Sequence, residues 1–245
     1  MRRVTAAILR AVRGEDEAVD PEAPSPHLLV GGELDAEAVA ARWIWGGGLA
    51  GLRGQVPALE AERVLAVRGV PTADRMVAAG IRLRDIPIGD IGLLAETALA
   101  VVGSNSRDVR SGTPIAVVPT LAGRTMPFLA RLAGSREACV VDLGRDSLEP
   151  LHQVAAADVV VAQDLQGLVW AEAFGKPAVW VADRSDDEHD FRFRDWFSVV
   201  FERQDRPVPL GGRLESLIAE ARRAYHARPV AELGEALMRG LGQPG

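Results

Sequence analysis

Lysine is all but missing from this chain. Of its 28 lysine and arginine residues only Lys176 is lysine, and the other 27 are arginine. So lopsided a ratio reflects a GC-rich genome, and it makes each arginine weaker evidence of a site. Cysteine is as scarce. Cys139 stands alone in the apolar "ACVVDL", which excludes a disulfide framework and a thiolate metal cluster. It reads as a small core residue. The four histidines, His27, His152, His189 and His226, show neither HxH nor HExxH spacing, so no zinc site is read. Long apolar runs are missing too. Nothing approaches twenty apolar residues, and the opening "MRRVTAAILRAVRGEDEAVD" is broken by Arg10 and Arg13 before it could serve as a signal peptide or a span. The expectation is a cytoplasmic protein, at most peripheral to a membrane. No internal repeat or low-complexity tract is visible.

What is present is ordinary in bulk. The chain has 245 residues, 48% hydrophobic and 25% charged, with a net charge of −6. That is a globular composition for one large domain or two small ones. The negative balance argues against bulk nucleic-acid binding and leaves room for a local basic pocket that takes an anion.

Short apolar runs alternate with helical patterns. Strands are expected at "HLLVGG" (27–32), "WIWGGG" (43–48), "RVLAVRG" (63–69), within "IPIGDIGLLA" (86–95), and at "PIAVVPT" (114–120), "ACVVDLG" (138–144), "DVVVAQ" (158–163) and "PAVWVAD" (177–183). Helices are expected at 34–43, 71–81, 125–134, 147–157 with Ser147 as N-cap, and 166–175. Two amphipathic helices, "RLESLIAEARRAYHA" and "VAELGEALMRGL", close the chain. The Pro-rich "DPEAPSPH" (20–27) reads as a loop. Continuous Val/Ile/Ala runs between ten-residue helices indicate parallel sheets covered on both faces. The polar "GSNSRDVRSGT" (103–113) is the best linker. The expected architecture is therefore α/β, with two Rossmann-like halves and a cleft between them. They are an N-terminal α/β half, 1–104, and a C-terminal half, 105–245, with terminal helices.

In such sheets ligands bind beyond the carboxyl ends of strands. The stretch "VVVAQDLQGLVWAEAFGKPAVWVADR" (159–184) holds one such end, at Asp164-Leu165-Gln166-Gly167. Amides at the start of the following helix favour an anion, and Gly167 would let a ligand approach the backbone. A simple strand-to-helix turn is the plainer reading of the same spacing.

Four segments taken in order resemble the polysaccharide pyruvyl transferase family. "AVRGVPTADRMVAAGI" (66–81) is similar to its VRGPLT, and "IGDIGLL" (88–94) to its GDP-A-LL. "DVVVAQDLQGLVWAEAFGKPAVWV" (158–181) is similar to its SLHG or RLHG turn with a helix and GxP, and "DFRFRDWF" (190–197) to its FKFxDW. The resemblance spans roughly residues 43 to 200. It implies a glycosyltransferase-B-like fold that transfers a pyruvyl group from phosphoenolpyruvate to a sugar of a cell-surface polysaccharide, as a cyclic ketal. The partners would be that small-molecule donor and a glycan or lipid-linked sugar acceptor, with no cofactor and no metal.

Phosphoenolpyruvate carries a phosphate and a carboxylate, so its pocket wants arginines and helix N-termini. Its C3 must gain a proton while a sugar hydroxyl loses one, which suits a histidine. By the resemblance, Arg68 is the best anion-binding candidate. Arg192 keeps a cation where the family has the lysine of FKF, and Asp90 matches the GDP aspartate as a substrate contact or a turn cap. The family's histidine is Gln166 here, which cannot titrate, and its Ser or Arg is Asp164. The family's opening strand and Gly/Asp-rich loop are not found.

The expected site is thus Gln166 at the catalytic position, with Arg68, Asp164, Gly167 and Arg192 around the substrate. His189 is a possible replacement for the lost histidine from a nearby loop, or a plain surface residue. Trp170, Trp180 and Trp196 are sugar-stacking or core residues. Two alternatives stand beside pyruvyl transfer. One is a degenerate relative that binds a glycan or a partner. The other is a nucleotide-sugar glycosyltransferase, for which Glu172 is the candidate ribose ligand.

Overall fold

The computed structural model describes residues 2–13, 28–35, 40–41, 43–102, 114–128, 137–210 and 213–241. The chain is a mixed α/β protein with two parallel sheets. Strands β1 (Leu28–Val30), β2 (Trp43–Gly47) and β3 (Val64–Val67) form the first, in chain order. Strands β4 (Ile115–Val118), β5 (Ala138–Val140), β6 (Val159–Ala162), β7 (Ala178–Ala182) and β8 (Val208–Pro209) form the second. Its order is β5-β4-β6-β7-β8, all parallel. The runs VLAV of β3 and IAVV of β4 are buried throughout, as strands covered on both faces must be.

Eight helices connect or flank these strands among the described residues. Helix α1 (Arg2–Arg13), α2 (Val70–Ala78) and α3 (Ala95–Val101) belong to the first half of the chain. Helix α4 (Glu149–Ala156), α5 (Leu165–Ala173), α6 (Asp187–Phe197), α7 (Leu214–Ala219) and α8 (Ala231–Leu241) follow. Helix α2 carries Pro71 in its first turn, and Gly80, at φ 93, ends the turn beyond it.

Several expected elements take a different form. Segment 86–95 contributes one bridge, Ile88 to Val67, and then a 3-10 turn at Ile91–Leu94 capped by the Asp90 side chain. Helix α4 starts at Glu149, and Ser147 Oγ accepts from the Glu149 amide at 3.3 Å without being the N-cap residue. The expected helix over "RLESLIAEARRAYHA" stops at Ala219. Arg222 pairs with Ala178 across the sheet edge, and the Glu172 carboxylate takes the Tyr225 and His226 amides, both at 2.9 Å. Those amides therefore point at a carboxylate instead of continuing a helix, and Tyr225 adopts φ 54.

The linker 103–113, most of the helix expected at 34–43 and the end of the one expected at 125–134 lie outside the described residues. Helix α8 packs against β2, β3 and α1, so the end of the chain returns to the first sheet. Trp45 Nε1 donates to Leu233 O at 2.7 Å. One hydrophobic core spans both sheets, from Trp45, Leu65 and Ile91 to Val118, Leu168 and Val169. The halves are therefore joined by packed side chains. Among the described residues no helix is long and apolar enough to cross a membrane.

Candidate functional site

In the second sheet β5 and β6 lie on opposite sides of β4. Connections leave β4 and β6 in opposite senses there, and the carboxyl ends at such a switch point are the usual ligand position in these sheets. The turn "QDLQG" occupies that place. Gln163 and Asp164 both donate their amides to Val118 O, at 2.8 and 3.2 Å.

Asp164 is the N-cap of α5, and its Oδ1 accepts from the Gln166 amide at 2.9 Å. A carboxylate of the chain itself thus takes a helix-start amide that an external anion would use. Gln166 is half-buried in the first turn of the helix. Its side-chain amide packs on Gly92, which has no room for a Cβ on that side, and makes no hydrogen bond among the described residues. Gly167 has a different task from the one expected of it. It faces the sheet, where a Cβ would lie 2.8 Å from Val118 Cβ and 3.0 Å from Ala162 Cβ. Its small size lets the helix close on the strands.

Arg68 follows β3 and is buried. Its Nε donates to Asp195 Oδ2 at 3.1 Å and its Nη2 to Leu49 O at 2.9 Å. Asp195 also accepts from the Thr72 amide at 2.9 Å and the Thr72 hydroxyl at 2.8 Å, and Leu49 N donates to that hydroxyl oxygen at 3.1 Å. The network pins α6 to the loop after β2 and to the start of α2. Asp90 lies within electrostatic reach of Arg68 and Asp195 and is buried as well. Burial pushes both carboxyls above the ordinary range, with Arg68 opposing the shift in each. Arg68 is thereby an internal strut whose guanidinium is committed to protein acceptors. Asp195, within "FRFRDW", carries no sequence signal that marks it as the partner of Arg68.

Arg192 is placed otherwise. Its side chain keeps 19% exposure, and Nη1 lies 3.9 Å from Glu33 Oε1, across from the first sheet. Its guanidinium stacks over Phe193 at 5.2 Å, and its buried Nε has no partner among the described residues. Nη2 lies 3.0 Å from His189 Nε2. Arginine cannot accept a hydrogen bond, so Nε2 is the acceptor and the ring proton rests on Nδ1. Partial burial, then Arg192, lowers the imidazole pKa, while Asp190, Asp186 and Asp164 pull it back up. Glu33, Asp164, His189 and Arg192 thus gather between the end of β1, the turn before α5 and the first turns of α6. Glu33 carried no signal in the sequence beyond its place after the "GG" that ends β1.

The structure therefore brings Gln166, Asp164 and Arg192 to one end of the sheets, with Arg68 behind them. Segment 90–92 lies between Arg68 and Gln166, within the field of one and in contact with the other. Trp170, Trp180 and Trp196 are all buried and belong to the core, with Trp180 stacked on Phe193 at 4.4 Å. The Glu172 carboxylate is held by two backbone amides near the far end of α5, away from the turn. Compared with known protein families, curated proteins and solved structures, the chain matches none.

Proposed function

We propose that the chain is a polysaccharide pyruvyl transferase-like protein of glycosyltransferase-B-like build. Phosphoenolpyruvate and a sugar of a cell-surface polysaccharide would meet where the turn 163–167 faces α6. The observation that supports this reading is the meeting of the four resembling segments. "VRGVPT" joins "FRFRDW" through Arg68, Thr72 and Asp195, and "GDIGLL" joins "DLQG" through Gly92 and Gln166.

The reaction needs one proton delivered to C3 and two removed from sugar hydroxyls. One hydroxyl adds to C2 as C3 becomes a methyl group. The second then displaces phosphate, which departs with the remaining proton. Gln166 can orient a hydroxyl or a carboxylate but carries no titratable proton. His189 supplies one. Arg192 holds its Nε2 lone pair. An anionic donor that draws Arg192 to itself frees that lone pair for general-base work.

A second reading is favoured by Asp164, whose carboxylate already caps α5. On that reading the protein binds a glycan or a partner without turnover. A phosphate-release assay with phosphoenolpyruvate and a panel of glycan acceptors separates the two. Acceptor-dependent release supports transfer. Acceptor binding without release supports the binding reading.

A further inference from the structure

Strand β7 begins at Ala178, at the opposite end of its sheet from the turn 163–167. Around that end the tails of α5 and α6 and the segments 202–206 and 220–224 enclose a cavity of about 410 Å³. Its wall is fixed by Gln204, whose Nε2 donates to Trp180 O at 2.7 Å and whose Oε1 accepts from Trp180 N at 2.9 Å. The loop that carries Arg203 and Arg206 is therefore pinned to β7 at both the N–H and the C=O of one residue.

The charges of the lining divide into committed and uncommitted groups. Arg222 turns its guanidinium to the carbonyls of Ala219 and Ala221, and Glu172 is held by two amides. Lys176, Arg203 and Arg206 make no ion pair among the described residues, and neither do Glu202 and Glu220; Arg203 spends only its Nε, on Val200 O at 3.5 Å. The floor is apolar, with Leu168 and Phe197. Trp196 lines it too, and its buried indole N–H has no acceptor among the described residues. The single lysine of the chain is on this rim.

We propose that this cavity is a second small-molecule site, for a phosphorylated monosaccharide. Three unpaired cations suit a phosphate group, with the lysine ammonium acting as a compact point charge. Two unpaired carboxylates suit ring hydroxyls as donors, and an apolar floor suits the C–H face of a pyranose. A neutral sugar would leave the cations without a partner, and inorganic phosphate would leave the carboxylates facing an anion. The volume lies within the range of small-molecule sites.

The test is calorimetric titration of glucose 1-phosphate into the full chain, with glucose and inorganic phosphate as separate arms. Glucose 1-phosphate binds, and each fragment binds at least about tenfold more weakly. Lys176→Met and Arg206→Ala each weaken binding about tenfold, the loss expected of one charge-assisted hydrogen bond, with an unchanged melting temperature. Acylation of Lys176 by an N-hydroxysuccinimide ester, read by peptide mass, slows when glucose 1-phosphate is saturating. The proposal is overturned if glucose 1-phosphate gives no binding, if inorganic phosphate binds as tightly, if the Lys176 and Arg206 variants bind like the parent, or if Lys176 acylates at the same rate.

Discussion

Arg68 Nε donates to Asp195 Oδ2 at 3.1 Å across 127 residues of chain, and both side chains are buried. The pair ties the loop after β3 to α6, and α6 in turn carries His189 and Arg192. The strut and the candidate site are thus two ends of one helix.

Removing one partner of a buried ion pair leaves the other charge uncompensated, at a cost of about 3–5 kcal/mol. Arg68→Met should therefore lower the urea midpoint sharply. The double variant Arg68→Met/Asp195→Asn should recover part of the loss, because neighbours in one network are not additive. A single variant within about 1 kcal/mol of the parent would show that the pair holds nothing together.

Asp90 gives a pH signature. Burial raises its carboxyl pKa above the ordinary 3.8, so the folded state holds the proton more tightly than the unfolded chain does. The stability it contributes is full below the unfolded value and is lost as pH rises through the folded one. Asp90→Asn keeps an oxygen for the Gly92 amide and removes the charge. Denaturant unfolding at mildly acidic and at neutral pH should show the variant gaining on the parent as pH rises. A constant difference between the two would refute the assignment.

Gly167 tests whether the turn is shaped by packing. In an open helix Gly→Ala stabilises by about 0.5–1 kcal/mol. Here the added carbon meets Val118 and Ala162, so Gly167→Ala should destabilise by about 1–3 kcal/mol. Calorimetry on the same variant should find phosphoenolpyruvate affinity unaltered at a temperature where it is folded. A stabilised variant with weakened donor binding would return Gly167 to the ligand site.

Gln166→His restores a titratable group at the start of α5, beside Gly92. Pyruvyl transfer should rise in the variant, and further with Asp164→Ser, which removes a negative charge from the donor's approach. If both variants transfer no faster than the parent, Gln166 does not limit the chemistry.

Much of this was legible in the sequence. Runs such as VLAV and IAVV announce parallel strands because both faces are buried, and Pro71 and Gly80 bracket α2 by backbone geometry alone. The turn at 164–167 was legible because an apolar run stops there and a helical pattern follows, but the Asp164 cap was not, and its carboxylate read as a substrate contact. What escaped were pairings with no local signature. Nothing near Arg68 announces Asp195, so its charge suggested a ligand contact when a protein carboxylate meets it. The helical periodicity through 220–227 lost to Glu172, a distant acceptor for two of its amides. Glu33 and His189 became neighbours of one arginine only once the two sheets had packed.

On the proposed mechanism His189, held by Arg192, moves the proton that Gln166 cannot. Phosphate release from phosphoenolpyruvate, with the best acceptor, in the parent and in His189→Gln decides this. The parent should show acceptor-dependent release, falling on the acid side as the imidazole protonates below the ordinary histidine range. The variant should lose about 10²–10⁴, the usual cost of a missing acid or base, with donor affinity retained. Release that is undiminished in His189→Gln, or absent from the parent with every acceptor, would rule the mechanism out.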